Sequence, residues 1–440
     1  MSALRTAFVL TSLTFVPAVA TAQNCNLTEA PKTGECFKYQ IETSLSGSMK
    51  VAQDGKETSI KLSAKNAHAY FERVLDADKG VIRKSARYYE KAACGTEVAE
   101  NKIARSLRDD RRFIVAQRTR DHLLCYSPVG PLTRQELELV GEHFDTLHLT
   151  GILPGKEVST GDSWKISNAT AQSLCLFEGL VSHDLTGKLI EIKDGTATIA
   201  VEGKASGIEL GASVRLEIKG TLRFDPLQHR ITELEWKQKD VRDHGPVSPT
   251  TEIESTTTLK RTVLEEEPKE LSKGALAAVP SEDEPQELLK LLLTKHPNER
   301  YSFLQTREWH QVGATDSHLV LRLLDRGDFI AQATIISWKN ADAGKHMDPD
   351  DFKKIVGQSP GWDMEEIVES GEVPTDEGRW IYRVTARGEL DGAKVVQNFI
   401  LLAGPKGDQV VVTFTMKPAN AAKIGTRDLA LVNAIEFKPK

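Results

Sequence analysis

The feature that most constrains this chain is the tract Ile208–Phe224, in which apolar or small residues alternate with polar ones. The apolar or small residues occupy the even positions, Ile208, Leu210, Ala212, Val214, Leu216, Ile218, Gly220, Leu222 and Phe224. Such alternation is typical of a β-strand with one face toward a core and one toward water. At ~3.3 Å per residue, one strand of this length would run ~55 Å. We therefore expect it to bend, with Gly211 and Gly220 as the bending points.

Strand signals also occur on both sides of this tract. Leu189–Ile192, a Lys-Asp-Gly turn and the segment 197–201 predict a hairpin, and a threonine-rich strand follows Trp236. Upstream, several short strand-like stretches are joined by polar turns. The sequence therefore predicts an N-terminal antiparallel sheet of eight or more strands.

Two amphipathic helices are expected to cover this sheet. Thr133 and Glu136 have the spacing of a capping box, and the first helix is predicted over 133–149. Gly151 and Pro154 end it, and Asn168 is the expected cap of the second helix. We predict a curved, half-barrel sheet whose apolar face holds a ligand. The residues assigned to that face are Leu210, Val214, Leu216, Ile218, Leu222 and Phe224 on the sheet, with Leu137, Val140, Phe144 and Leu147 on the helix.

The ends and the middle of the chain set the predicted domain boundaries. Residues 1–22 have the pattern of an export signal, with Arg5, a short apolar core and small residues up to Ala22. Residues 23–264 form the first domain, 265–285 an acidic, proline-containing linker that we expect to be solvated, and 286–440 the second domain. No other stretch is apolar enough for a stable membrane span. We expect a protein that is periplasmic or extracellular and soluble after cleavage near Ala22.

The second domain is predicted to be a smaller antiparallel α+β sandwich. Two hairpins are indicated, one with an Asp-Gly turn at Asp391, and Asp348 is the expected cap of a helix beginning at Pro349. The last helix is expected near 427–434, and helices should lie on one side of the sheet. The fold class predicted for the whole chain is α+β.

The five cysteines are compatible with disulfides in an exported protein. The pattern predicts that Cys94 and Cys125 lie in successive strands, and Cys25 and Cys36 are close in sequence. These are the candidate pairs. Cys175 is expected to be a buried thiol. The connectivity stays open at this point.

The charged and catalytic residue types point away from several functions. A formal net charge of −6 argues against nucleic acid and against an anionic membrane surface as partners. His143, Asp145 and His148 have no evident third metal ligand, and Asp348, Asp350 and Asp351 lack the spacing of a calcium loop. We assign no catalytic, cofactor-binding or metal-binding residue.

A hydrolase is the least favoured reading of the polar residues. Its candidate residues would be Ser163 and His310, with Asp316 and His318 nearby in sequence. No GxSxG nucleophile elbow is present.

Two family resemblances follow from these elements. The segment 297–440, with "VVQNFILLAGPKGDQVVVTFTM" and the terminal "LVNAIEFK", resembles the PsbP/Mog1/DcrB-type fold, which implies a binding or accessory role. The segment 33–263 resembles the curved sheets of LolA/LolB-like lipoprotein carriers. It is also similar to exported bacterial proteins with an LPxxxVxxGDxW joint, and the matching positions are Leu153, Pro154, Val158, Gly161, Asp162 and Trp164.

The sequence leaves two functional hypotheses besides the hydrolase. In the first, the N-terminal sheet binds a lipid, another apolar ligand or an envelope component without catalysis, and the second domain is an interaction module. In the second, both cores are filled and the protein is a structural adaptor of the cell envelope that contacts an envelope protein.

Overall fold

The computed structural model describes residues 23–53, 56–119, 122–141, 145–281, 284–375 and 378–438. The predicted export signal, His143 and Phe144 lie outside these residues. Strands and helices are numbered below in chain order.

The segments predicted as domains keep the names first domain and second domain below. The first is built on a 13-stranded antiparallel sheet. Its strands are β2 (Cys36–Gln53), β3 (Lys56–Asp78), β4 (Val81–Val98), β5 (Asn101–Ser106), β6 (Phe113–Arg118), β7 (Leu123–Tyr126), β9 (Ser163–Lys165), β10 (Gly179–His183), β11 (Thr186–Lys193), β12 (Thr196–Glu209), β13 (Ala212–Asp225), β14 (Arg230–Arg242) and β15 (Thr250–Leu264). The order across the sheet is β7-β6-β4-β3-β2-β15-β14-β13-β12-β11-β9, with β5 beside β4 and β10 beside β12. A separate pair, β1 (Asn24–Asn26) and β8 (Glu157–Ser159), ties down the N-terminal segment.

The alternating tract is two strands, not the single bent strand that we predicted. Leu210 and Gly211 have φ values of 50° and 75° and form a two-residue turn between β12 and β13. Residues paired across a hairpin share a face, so Ile208 and its partner Ser213 lie on one face while Val214 lies on the other. The turn therefore shifts the phase: Val214 is buried, but Ile208 is 37% exposed.

The first covering helix is shorter than predicted. Helix α1 spans Arg134–Val140, and the capping box of Thr133 and Glu136 is confirmed. The 3-10 helix Thr146–Ile152, capped by the Asp145 side chain, takes the place of the predicted second half. Helix α2 (Asn168–Leu174) is capped by Ser167 rather than by Asn168.

Replacing Thr133 with alanine should lower the free energy of unfolding by about 1 kcal/mol, because the Thr133 hydroxyl accepts the Glu136 N–H at 3.2 Å. Urea unfolding followed by circular dichroism measures the change. The same substitution at Thr262, which is exposed on β15, is the control and should leave the transition almost unchanged. Equal losses in the two variants would contradict a specific capping role.

The acidic segment between the domains packs on the sheet, in contrast to the solvated linker that we expected. It contains two short 3-10 helices, Lys269–Leu271 and Ala275–Ala278, and Leu271 is fully buried. Arg73 donates a hydrogen bond to the Leu271 carbonyl at 2.8 Å, and Lys84 donates one to the Pro280 carbonyl at 2.7 Å. These contacts hold the segment along β3 and β4.

The second domain has two antiparallel sheets. A small sheet joins β16 (Leu292–Lys295), β17 (Tyr301–Gln305) and β25 (Glu436–Phe437). The larger sheet contains β18 (Trp309–Ala314), β19 (His318–Asp325), β20 (Asp328–Ser337), β21 (Trp362–Val373), β22 (Trp380–Leu390), β23 (Ala393–Ala403) and β24 (Gln409–Met416), in the order β18-β19-β20-β24-β23-β22-β21. Its helices are α3 (Glu287–Lys290), α4 (Pro349–Val356) and α5 (Arg427–Asn433).

Helices lie on both faces of the larger sheet, so the prediction of helices on one side is wrong. Leu431 and Val432 of α5 belong to one hydrophobic core, and Phe352 and Val356 of α4 belong to another. Along β23, Ile400 contributes to the α5 core and Phe399 to the α4 core, which places the two cores on opposite faces. The Asp348 cap and the Asp391–Gly392 hairpin turn are confirmed.

The two domains contact each other through backbone and arginine side chains. The Leu293 N–H donates to the Leu132 carbonyl at 2.8 Å, and Arg134 donates to the carbonyls of Arg307 and Trp309 at 2.6 and 2.9 Å. At a second contact, a Cβ added to Gly211 would lie 2.1 Å from the Gly327 carbonyl oxygen. Only glycine permits this approach.

Candidate functional site

The large sheet has two faces with different surroundings. We call the face that carries Tyr39, Leu222 and Leu234 the inner face, and the opposite one, which carries Ser44 and Lys65, the outer face. Of the predicted ligand-binding residues on β13, Val214, Leu216, Ile218, Leu222 and Phe224 are all on the inner face and buried. Leu210 lies in the hairpin turn and is only half-buried.

Protein atoms cover this part of the inner face. Val140 and Leu147 are buried in the same core as the β13 residues, and Leu137 packs against it. Phe144 lies outside the described residues. A binding role for these residues stays a prediction.

The LPxxxVxxGDxW joint is held by local hydrogen bonds. The Trp164 indole N–H donates to the Ile152 carbonyl at 2.8 Å, and the ring packs on Gly187, where a Cβ would lie 2.5 Å from it. The Asp162 carboxylate accepts the Ser159 N–H at 2.8 Å. In this chain the joint connects the covering helices to β9 and β11.

The inner face also carries buried charges. Arg87 on β4 and Glu72 on β3 are both fully buried, with Nε 2.8 Å from Oε2. Arg87 also donates to the Thr146 hydroxyl at 2.6 Å, which joins the sheet to the covering 3-10 helix. The guanidinium lies 5.1 Å from the centre of the Tyr70 ring. These contacts fix the cover in place.

A second buried ion pair holds the N-terminal segment. Arg261 on β15 donates to both carboxylate oxygens of Glu29, at 2.6 and 2.7 Å, and the two side chains are 1% and 0% exposed. Glu29 accepts the Ile231 N–H at 2.8 Å, and Arg261 donates to the Ile231 carbonyl at 2.9 Å. The pair therefore joins three separate segments.

Sequence reasoning missed these four charged residues. Glu72 and Arg261 occupy inward positions that an alternating pattern reserves for apolar residues, so the pattern gave no sign that they are buried. The available signal was a tyrosine at an inward position on each of three neighbouring strands. Tyr39 and Tyr70 stack with ring centroids 4.9 Å apart, and Tyr89 lies next to Tyr70. Buried tyrosines often accompany buried polar groups because they offer a hydroxyl.

One end of the inner face is apolar but is not covered by the helices. Seven apolar side chains there are only half-buried, and none belongs to a hydrophobic core of the described residues. We call this surface the open end, and its residues are Leu45, Met49, Val51, Ile60, Leu62, Val98 and Ile253.

The strand register places three of these residues in one row with a glycine. Val98, Leu62, Gly47 and Ile253 form a single cross-strand row over β4, β3, β2 and β15. A Cβ at Gly47 would meet the Glu252 carbonyl oxygen at 2.1 Å, so no side chain fits at that position. The β15 backbone takes up the space beside Gly47. We call the strip between the Leu62 and Ile253 side chains, where position 47 carries none, the apolar notch.

The cysteines do not form the predicted disulfides. All five are described, and none of them is disulfide-bonded. Cys94 lies on β4 and Cys125 on β7, and β6 separates the two strands. Cys25 lies on β1, which pairs with β8 rather than with the β2 strand that carries Cys36. Burial of Cys175 is confirmed and raises the pKa of its thiol to about 12.

The candidate hydrolase residues are dispersed, and the candidate metal ligands make other contacts. Among the described residues, no group of three or more His, Cys, Asp or Glu side chains is arranged for a metal ion. Asp145 is buried against Arg118 instead. Ser163 is on β9 of the first domain and His310 is on β18 of the second, where burial and the Arg134 charge lower the pKa of His310 to about 4.

No helix within the described ranges combines the length and apolarity required to cross a bilayer.

The comparisons with known proteins give distant structural matches. No family model matches the sequence, and no curated protein matches it. Among solved structures, cyanobacterial PsbP from Synechocystis matches with 12% identity and a TM-score of 0.25, over 34% of this chain and 93% of its own. The Ran-binding protein Mog1p of Saccharomyces cerevisiae matches with 13% identity and a TM-score of 0.25, over 33% and 95%. Lipovitellin matches with 8% identity and a TM-score of 0.29, over 55% of this chain and 27% of its own.

PsbP and Mog1p bear the names of the families that the C-terminal segment resembles. All three TM-scores are below 0.5, and no function passes from these proteins to this chain. The resemblance to LolA/LolB carriers stays a prediction.

Proposed function

We propose that this protein is an exported, non-catalytic binding protein that holds an apolar ligand, such as an acyl chain, on the open end of its inner face. The observation that carries the proposal is the cross-strand apolar row around Gly47, which is aligned with the core but is not covered by it. In this proposal the large open sheet is a half-barrel. Its helix-covered part is a packed core, and its open end receives the ligand.

The chemistry of the open end fits a hydrocarbon better than a polar ligand. Leu45 and Met49 flank Gly47 on β2, and Leu62 and Ile253 flank it on the neighbouring strands. A chain lying in this notch would bury apolar surface of the protein and of itself. Burial contributes about 25 cal/mol per Å². Contiguous apolar patches that stay exposed on a soluble protein commonly mark such sites.

The direct test is organic extraction of the purified full chain, followed by mass spectrometry, together with titration of a fluorescent fatty acid. We expect a co-purifying lipid and saturable probe binding. The variant Leu62→Ser with Ile253→Ser should weaken probe binding at least tenfold. Each substitution removes an apolar side chain whose full burial under the ligand would contribute roughly 1.5–3 kcal/mol.

The matched control carries the same kind of change at exposed apolar residues away from the notch. Val181 is 69% exposed and Val368 is 47% exposed, and Val181→Ser with Val368→Ser should leave probe binding unchanged. A clean extract and equal probe binding by all three proteins would exclude the proposal. The adaptor role, with the open end as a contact for an envelope protein, would then be favoured.

A further inference from the structure

The outer face of the sheet carries a cavity next to a row of lysine and hydroxyl side chains. One cross-strand row over β3, β2, β15, β14 and β13 consists of Lys65, Ser44, Thr256, Lys237 and Lys219. We call this row and the cavity above it the lysine trough. The cavity has a volume of about 640 Å³, and its lining includes all five residues.

The cavity spans five neighbouring strands of the sheet. Lys65 and Lys219 are four strand spacings apart, or roughly 19 Å at ~4.8 Å each. Both line the same cavity, one at each end of the row. Ser44 and Thr256 lie between them and contribute hydroxyl groups.

The lining carries charged side chains of both signs. It contains four lysines, Lys65, Lys219, Lys237 and Lys239, and two glutamates, Glu217 and Glu254, within a chain of formal net charge −6. Two of the lysines are already paired with glutamates outside the lining, Lys237 with Glu235 at 2.7 Å and Lys239 with Glu252 at 2.8 Å. Lys65 and Lys219 have no ion-pair partner among the residues that the structure describes.

The donor types suit a phosphoryl group. A lysine ammonium group binds phosphate as a compact point charge, and hydroxyls donate hydrogen bonds to its oxygens. The 640 Å³ cavity has no arginine and no aromatic ring in its lining. A second cavity of about 810 Å³ shares Ser44, Lys65 and Thr256, and its lining adds Lys91, Arg105 and Glu42.

We propose that the lysine trough binds a ligand bearing phosphoryl groups, held between Lys65 and Lys219 and hydrogen-bonded by Ser44 and Thr256. The site is on the opposite face from the apolar notch, and its existence does not depend on the proposed function. The phosphoryl group belongs either to a soluble phosphate compound or to a lipid headgroup, and the experiment separates these sources.

Calorimetric titration of the full chain with inorganic pyrophosphate tests the soluble source, and co-sedimentation with vesicles of phosphatidylglycerol in phosphatidylcholine tests the headgroup. We expect saturable pyrophosphate binding that weakens at high salt. Lys65→Gln with Lys219→Gln should weaken it at least tenfold, since each ammonium supplies a charge-assisted hydrogen bond. Vesicle binding that this variant abolishes, without pyrophosphate binding, would assign the same chemistry to a headgroup.

The control changes the charge equally at exposed lysines of β11, outside the trough, with Lys188→Gln and Lys193→Gln. An equal loss of binding in both variants would show that the effect depends only on net charge and would overturn the proposed site. A protein that binds neither pyrophosphate nor the vesicles would overturn it as well. The fluorescent fatty acid should bind the trough variant as it binds the unmodified protein, which keeps this test distinct from that of the apolar notch.

Discussion

Replacing Arg261 with methionine should lower the free energy of unfolding by about 3–5 kcal/mol, because it leaves the Glu29 carboxylate buried without its charge partner. Methionine keeps much of the side-chain volume, so the loss reports the charge rather than a cavity. Urea unfolding at neutral pH, followed by tryptophan fluorescence, measures it. The N-terminal segment should also become accessible to proteases, since Arg261 connects it to Ile231.

The control is an exposed ion pair on the same sheet. Arg215 and Asp243 lie 2.8 Å apart, with side chains 52% and 49% exposed. Arg215→Met should change the unfolding free energy by less than about 1 kcal/mol. The double variant Glu29→Gln with Arg261→Met should recover part of the loss, because no charge is then left buried. A loss as small in Arg261→Met as in the control would contradict the structural role of the pair.

Replacing Arg118 with methionine should lower the free energy of unfolding by a similar amount at neutral pH, about 3–5 kcal/mol. This loss should become smaller in acid. Asp145 is fully buried, and its carboxylate lies 2.6 Å from the Arg118 guanidinium and accepts the Leu147 N–H at 3.0 Å. Burial acts to raise the pKa of Asp145, but His148, Arg118 and the Leu147 N–H together hold that pKa below its ordinary value.

The pH dependence follows from the direction of this shift. In the unmodified protein the depressed pKa of Asp145 contributes stability above its ordinary value of about 3.9, and this stability is lost as pH falls through the folded-state pKa. Without Arg118, only the His148 contact and the Leu147 N–H oppose the effect of burial, and we expect the pKa of Asp145 to rise above its ordinary value. The variant should then gain unfolding free energy as pH falls through that raised value.

Urea unfolding at several pH values between neutral and about 4.5 measures this convergence. Arg118→Met combined with Asp145→Asn is the control. This double variant should lose less unfolding free energy at neutral pH than Arg118→Met, because asparagine carries no charge and can still cap the 3-10 helix. Its unfolding free energy should not recover in acid, since residue 145 then has no carboxylate to protonate. A constant difference between Arg118→Met and the unmodified protein at every pH would contradict the assigned role of Asp145.

Local sequence patterns predicted several elements correctly. Thr133 and Glu136 form the expected capping box, and Asp348 caps the helix that begins at Pro349. The Asp391–Gly392 turn forms because both residues adopt positive φ, which this pair tolerates well. Each of these features depends on residues within four positions of one another, so the sequence alone contains the necessary information.

The split between β12 and β13 shows where pattern reasoning fails. Leu210 is a poor marker for a turn, because leucine rarely adopts the left-handed conformation that it has here. A two-residue turn also preserves apolar alternation along the sequence while it moves the even positions from one face to the other. The even-numbered apolar positions therefore continue from Ile208 into β13, but those of β13 lie on the opposite face of the sheet from Ile208.

Alternation and short-range hydrogen bonds were enough to predict a large antiparallel sheet, some of its hairpins and the helix caps formed by Thr133 and Asp348. Tertiary structure was needed to know which inward positions carry buried charges, which part of the apolar face is left open around Gly47, and how Lys65 and Lys219 come to line one cavity. These features arise between strands that are distant in the chain, because strand register sets them and no local pattern encodes that register.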